Sequence, residues 1–555
     1  MCARIWEYNL KISKENLVLV AILLLGCTLR IYNSAWDLGH YLHPDERLYV
    51  TASNIEVPAD STNFFSTEST LNPKMFFYGP LPLYLYKSSE VLLGSTNFLF
   101  HSRMISALFS SLTIIMIYIL GKVLFNKRVA VLAALVFAFA PSSIQYAHFN
   151  TTESILTYIL AAILIYSLKI VNQREIKGVS IVYLGFLVGA SYATKITGLT
   201  FGLIPAVSLV LWSIKNKSMG KFVRNIFLLG LSSAITGVIL APYQLIAFTT
   251  FYEQQRYMQG VILGSYKAPF VIIYEQSVPY IYSLLRVFPF AFGFLSTVLA
   301  GVGAVILVNG IVQKNFRKNG AMLVFFIFPL FYFIWIGQWY VKFVRYYILL
   351  FPFLAVIAGY ILAKFSKYPR VIISLLIIIN GLLFTRIYTT ENTRIQASRW
   401  IYENISEDKV LLAEHWDDPL PIPLYPHQYQ IQQLEVYNQP DSELKIQALA
   451  SGLAGGDYFI LSSRRVYYSI LQNRSIYPYT SNMYDKLFSG DLGYGLAKKF
   501  TNYPFIFSDD VADESFQSYD HPPVYIFQNV EHLSANKLQS LIFADNVSDA
   551  LKKPQ

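Results

Sequence analysis

Cysteine is almost missing from this chain. Of 555 residues only Cys2 and Cys27 carry a thiol, so no disulfide framework can brace the remainder. Charge is scarce too. Asp, Glu, Lys and Arg make up 14% of the residues, where a soluble domain carries about a quarter. Most of that deficit falls before residue 390, so most of the chain is expected to dissolve in lipid. There is no Gly-rich phosphate loop leading into Lys-Ser or Lys-Thr, and no Cys/His cluster with metal-ligand spacing. These gaps argue against a P-loop nucleotide site and a zinc module. No internal repeat of the kind that marks a two-fold transporter is visible.

What is present is apolar. Hydrophobic residues reach 54% and aromatics 16%, with 41 Tyr and 41 Phe, and mean hydropathy is +0.41. A helical span needs about 20 mostly apolar residues. Runs that qualify are 16–33, 104–125, 129–147, 153–171, 179–194, 198–214, 225–247, 287–311, 321–340, 345–363 and 370–388. That gives about 11 transmembrane helices, and the first is read as retained. The formal charge of +10 lies in small groups between these runs rather than on one basic face, which argues against nucleic acid. Arg4, Lys11 and Lys14 precede the first run. Lys122, Lys127 and Arg128 follow the second, and Arg174 and Lys177 the fourth. Lys215, Lys217, Lys221 and Arg224 follow the sixth, Lys314, Arg317 and Lys318 the eighth, and Lys364, Lys367 and Arg370 the tenth. With eleven spans all of these fall on one side. The positive-inside rule makes that side cytoplasmic, N-terminus included, in a multi-pass protein of the plasma membrane.

The expected domains are a membrane domain over 1–388, with a long first outer loop at 34–103, and an extracytoplasmic soluble α/β domain over 389–555. The tail has Pro and Asp turns. Short apolar runs at 409–412, 458–461 and 525–527 read as buried strands, and 397–404 as a helix. His415-Trp416-Asp417-Asp418 and Asp520-His521-Pro522-Pro523 read most simply as turns.

The chemistry-bearing candidates face the outer side. His43-Pro44-Asp45-Glu46 follows the first span directly, and carboxylates there are costly if they reach lipid. A positioned Asp could take a proton from an alcohol at the bilayer surface. Asn72 to Tyr84, rich in Pro and aromatics, reads as an interfacial segment with its rings inserted in the bilayer and Lys74 near headgroup phosphates. Lys195 sits in a small-residue break, Tyr192-Ala193-Thr194-Lys195-Ile196-Thr197-Gly198, and needs an anionic partner. That partner is either a phosphate or Glu153. Arg345 reads either as a phosphate ligand, since its fork suits phosphate, or as half of an interhelical salt bridge. Arg256 could clamp a phosphate or be a solvated loop charge. His43, Glu153, Tyr78 and Lys342 are candidates for an acceptor-side or structural role.

The layout resembles the polytopic lipid-carrier-dependent glycosyltransferases of the C structural class. Dolichyl-phosphate-mannose protein mannosyltransferases and lipid A aminoarabinose transferases belong to that class. The resemblance rests on the acidic pair Asp45-Glu46, on Tyr78-Gly79-Pro80-Leu81-Pro82-Leu83-Tyr84 later in the same loop, and on Thr194-Lys195 between the fifth and sixth spans. In the family the interfacial stretch includes a Lys, and here Lys74 lies upstream of it. The resemblance implies inverting transfer of a sugar from a polyprenyl-phosphate donor to a hydroxyl on a protein, lipid or glycan. Asp45 would be the general base and Glu46 would orient the acceptor or balance a cation. Lys195, Arg345, Arg256 and Lys74 would hold the donor phosphate. Some relatives need a divalent metal ion and others none, so no cofactor is assigned. The competing reading is a transporter or flippase for lipid-linked or small solutes, and a third is a non-catalytic envelope scaffold.

Overall fold

The computed structural model describes residues 14–57, 61–94, 97–313, 320–438 and 441–544. Arg4, Lys11, Lys314, Arg317 and Lys318, counted above among the basic groups, lie outside them. All eleven apolar runs are helical. Eight helices among the described residues are long and apolar enough to cross a membrane. The other three runs correspond to Lys14–Ile31, Lys127–Ala138 and Gly178–Thr194. The last two fall short in length, and the first carries Lys14, Glu15 and Arg30. Arg30 is nevertheless fully buried. It donates to Ser110 Oγ at 2.8 Å and to the Gly26 and Ala138 carbonyls at 2.9 Å each, so its donors meet oxygens instead of lipid.

The C-terminal part builds one five-stranded sheet from Val410–Glu414 (β1), Gln430–Leu434 (β2), Tyr458–Leu461 (β3), Tyr494–Phe500 (β4) and Val524–Asn529 (β5). The order is β2-β1-β3-β5-β4. β1 is parallel to both β2 and β3, whereas β5 is antiparallel to β3 and β4. Helices Glu443–Gly455 and Ala535–Phe543 pack together with the sheet around Leu412, Leu449, Phe459 and Leu538.

One ion pair and two hydrogen-bonded contacts seat the tail on the membrane part, and the two motifs expected to be turns provide them. Asp418 pairs with Arg47 at 2.7 Å and with Arg394 at 3.3 Å. His521 is buried between Asp509 at 2.9 Å and Asp520 at 2.5 Å. Asp520 also accepts from Gln145 Nε2 at 3.2 Å and Tyr388 Oη at 2.7 Å, both on the membrane part.

The 72–84 segment departs from expectation as well. Phe76 is fully buried against Tyr243 and Phe251 instead of inserted in lipid. Gln254 and Gln255, on the helix Phe248–Leu263, brace it through hydrogen bonds to the Phe76 N–H at 2.6 Å and the Phe76 carbonyl at 2.5 Å. The helix Pro80–Leu93 starts directly afterwards, with two prolines in its first turn.

Candidate active site

Asp45 is fixed by a local helix signal. His43 is the N-cap of Pro44–Thr51, and its Nδ1 accepts from the Asp45 N–H at 3.1 Å. Pro44 opens the first turn, and the two carboxylates sit where the helix dipole favours negative charge. The cap requires an unprotonated Nδ1. Burial secures this by pushing the His43 ring down to about 3.

The two adjacent carboxylates diverge from there. Glu46 is fully buried. It takes Arg103 Nε at 2.9 Å and Nη2 at 2.5 Å, and it accepts the Asn150 N–H at 2.8 Å. Arg103 also forks onto Asp37 at 2.9 and 2.8 Å. Glu46 therefore balances a cation and ties the first loop to the second span. Of the two roles expected of Glu46, the buried pairing with Arg103 matches the balancing of a cation. Asp45 points the other way and pairs with Arg345. The two side chains are 16% and 12% exposed, so the pair is partly accessible rather than sealed in the core. Burial pushes the Asp45 carboxyl up, but the facing Arg345 guanidinium outweighs it, with help from Tyr78 and Lys195, and holds the group below the usual carboxylate range.

Three further groups join this pair. Arg345 Nη1 donates to Tyr78 Oη at 2.9 Å. Lys195 Nζ lies 5.5 Å from the Tyr78 ring centroid and 5.3 Å from that of Tyr346. It reaches Glu153 at 3.2 Å, with side chains 13% and 2% exposed. Of the two partners offered for Lys195 by its sequence, Glu153 is the one the structure shows, and Nζ also lies between the Tyr78 and Tyr346 rings. Two glycines set the position. The Gly79 N–H bonds the Thr194 carbonyl at 3.0 Å, and a Cβ on Gly79 would lie 2.0 Å from the Ala193 carbonyl oxygen. Only glycine lets the Tyr78 loop close onto the end of the helix carrying Lys195. A Cβ on Gly198 would lie 2.2 Å from the Ser191 oxygen, which makes the same demand on the turn after Lys195.

The other expected phosphate ligands are elsewhere. Lys74 pairs with Glu68 at 2.6 Å, both largely exposed. Arg256 is exposed on Phe248–Leu263 and makes no contact with the Asp45–Arg345 pair. Lys342 is buried, with Nζ on the Trp339 and Tyr340 carbonyls at 2.6 and 3.2 Å, and burial pulls its pKa down to about 8. Lys74 and Arg256 thus do not join the Asp45–Arg345 pair, and Lys342 is tied to backbone carbonyls. Among the described residues no group of three or more His, Cys, Asp or Glu could hold a metal ion. Beside the Asp45 helix, Asp37 and Glu46 converge on Arg103.

The tail closes one wall, which the sequence did not reveal. Tyr519 packs against His43 with ring centroids 4.1 Å apart and the ring planes tilted by 40°. Arg465 lies 5.7 Å from the Tyr519 ring and pairs with Glu514 at 3.1 Å. Arg464-Arg465 was the available signal, a basic pair directly after a buried strand.

No curated protein matches the chain. Among solved structures, the archaeal oligosaccharyltransferase AglB from Archaeoglobus fulgidus, in complex with an inhibitory peptide and a dolichol-phosphate, is similar at 14% identity and a TM-score of 0.49. That match covers 85% of this chain and 72% of the other. ArnT from Cupriavidus metallidurans, bound to undecaprenyl phosphate, is similar at 13% identity and a TM-score of 0.47, covering 93% and 98%. Residues 78–243, which include Tyr78, Glu153 and Lys195, match the family model described as dolichyl-phosphate-mannose-protein mannosyltransferase. That match supports the resemblance read from the sequence, to polytopic lipid-carrier-dependent glycosyltransferases of the C structural class.

Proposed function

We propose that the protein transfers a sugar from a polyprenyl-phosphate-linked donor to an acceptor hydroxyl, with inversion, using Asp45 as general base. The observation that carries this reading is the Asp45–Arg345 pair, with Lys195 beside it across Tyr78. A base beside two cations suits a displacement at an anomeric carbon. Asp45 accepts the hydroxyl proton as the acceptor oxygen bonds to the anomeric carbon. The bond from that carbon to the phosphate oxygen breaks on the opposite face. Its electron pair leaves with the polyprenyl phosphate, whose charge Arg345 and Lys195 receive. The pairing also supplies a trigger. A phosphate that engages Arg345 draws the guanidinium away from Asp45, and the carboxylate becomes more basic as the donor seats. The matched family segment supports a lipid-phosphate donor.

Asp45→Asn keeps the shape and loses the base. With radiolabelled polyprenyl-phosphate sugars, transfer should fall about 10²–10⁴-fold while donor binding persists. Normal transfer by this variant would remove Asp45 from the mechanism, and translocation of the donor without transfer would point to a flippase. The basic groups between the spans favour an outward-facing site. A cysteine at Leu444 should then label from outside intact cells and one at Met219 should not, and the reverse pattern would invert the orientation.

A further inference from the structure

The loop Tyr503-Pro504-Phe505-Ile506-Phe507-Ser508 leaves the sheet after β4 and presents its largest apolar side chains outward. Ile506 is 92% exposed and Phe507 64%. Isolated exposed apolar residues are ordinary. These two are adjacent, and the loop beneath them is anchored. Phe505 is buried, with ring centroids 6.5 Å from Phe290 and 6.3 Å from Phe516. Phe507 stacks on Phe505 at 5.5 Å. The tip is thus held out on an aromatic pedestal.

The anchors fix its level. Asn502 Nδ2 donates to the Ile387 carbonyl at 3.0 Å, just past the end of Lys367–Thr385. That helix has 19 residues, a length of about 28 Å, which matches a hydrocarbon core of about 30 Å. Lys367 and Arg370 mark one border, so Arg386 and Ile387 mark the other. On the far side of the loop, Arg286 Nη1 donates to the Val511 carbonyl at 2.8 Å, just before the span Pro289–Val312. Phe290, under Phe505, belongs to that span. Both roots of the loop therefore stand at a membrane border. The tip continues the apolar belt of the spans, where Leu285, Phe294 and Leu382 are also exposed. The loop itself, Phe505, Ile506 and Phe507 included, forms one wall of a cavity of about 580 Å³ whose other lining includes Arg386, Thr390 and Gln396. A cation and hydroxyls next to large apolar side chains, at the level of a membrane border, suit a phospholipid, with its headgroup against Arg386 and its acyl chain against Ile506 and Phe507.

We propose that residues 503–508 form a wedge by which the C-terminal part enters the bilayer interface, with Ile506 and Phe507 among the upper acyl carbons and Arg386 at headgroup level. The wedge does not depend on the reaction assigned to the Asp45 site. Its effect would be to hold the tail down on the lipid surface and so keep Arg465 and Tyr519 beside His43.

Depth-dependent quenching tests the proposal on the full chain in phosphatidylcholine/phosphatidylglycerol nanodiscs. With Cys2 and Cys27 changed to Ser, an environment-sensitive fluorophore is attached at Phe507→Cys, and separately at Val511→Cys in case the first variant folds poorly. Leu444→Cys, on the helix that packs against β1 and β2, is the comparison. Interfacial apolar groups sit about 5–10 Å deep. A lipid nitroxide near the headgroup end of the acyl chain should therefore quench the 507 probe severalfold more than the 444 probe. A soluble paramagnetic chelate should give the opposite order. Equal quenching of the 507, 511 and 444 probes by the soluble chelate, with none from the lipid nitroxide, would overturn the wedge.

Discussion

Arg345 serves two partners, the Asp45 carboxylate and the Tyr78 hydroxyl, and that double duty can be tested. Arg345→Gln retains a donor for Tyr78 but removes the charge. Burial then acts on Asp45 without its main opposition, and its carboxyl rises. In the native site Asp45 stays ionised below the usual carboxylate range, so its contribution persists above that range and is lost only as pH falls through the depressed value. The acid limb of the transfer–pH profile should therefore move to higher pH in the variant. Donor affinity should drop about tenfold or more, since a charge-assisted hydrogen bond contributes roughly 1.5–3 kcal/mol. An unmoved acid limb in a folded variant would mean that Arg345 does not set the state of Asp45. Asp45, Lys195 and Arg345 were legible in the sequence because a charge beside an apolar run stands out. Arg465 and Tyr519 were not, because in a polar tail a charge or a tyrosine is ordinary and only the fold brings them to His43. For Glu46 two roles stayed open, because adjacency in sequence hides the divergence of neighbouring side chains around a helix, which sends one carboxylate to Arg103 and the other to Arg345.

At the scale of elements, the site depends on how closely the Tyr78 loop approaches the helix Gly178–Thr194. Gly79→Ala would drive a methyl into the Ala193 carbonyl and the Thr194 backbone, neither of which can swing aside. Overpacking of this kind costs about 1–3 kcal/mol. Here it should also separate Tyr78 from Lys195, with transfer falling more than the change in melting temperature explains. Gly178→Ala, at the start of the same helix, meets nothing within 4 Å and should leave both stability and transfer near native. Comparable behaviour of the two variants would remove the close approach from the argument. The apolar runs announced the helices, and β1, β3 and β5 appeared as short hydrophobic stretches because they lie inside the sheet. β2 and β4 went unseen because they are its edges. Gln430-Ile431-Gln432-Gln433-Leu434 and Tyr494-Gly495-Leu496-Ala497-Lys498-Lys499-Phe500 carry the polar residues that edge strands use against further pairing, so hydropathy passes over them.

At the scale of the whole molecule, the tail can form a wall of the site only while it stays docked, and His521 stands at that junction. It is buried between Asp509 and Asp520, and Asp520 is held in turn by Gln145 and Tyr388 of the membrane part. Burial alone would lower the imidazole pKa. The two carboxylates outweigh it and push the ring up to about 10, so at neutral pH it is an imidazolium between two anions. A group whose folded value lies above its unfolded value stabilises fully below the unfolded value, and that stabilisation drains away as pH rises through the folded one. The protein should therefore lose thermal stability progressively from about pH 6.5 to about 10, where His521 gives up its proton. His521→Gln leaves two buried carboxylates without a cation and should cost about 3–5 kcal/mol. It should also flatten that pH dependence, because the titrating group is gone. The transfer rate separates docking from folding. If the tail wall matters, the variant should lose transfer at temperatures where its spans remain helical by circular dichroism, and crosslinking from the tail to the first loop should weaken in parallel. An unchanged melting profile across this pH range in the native protein would show that the imidazolium does not hold the junction.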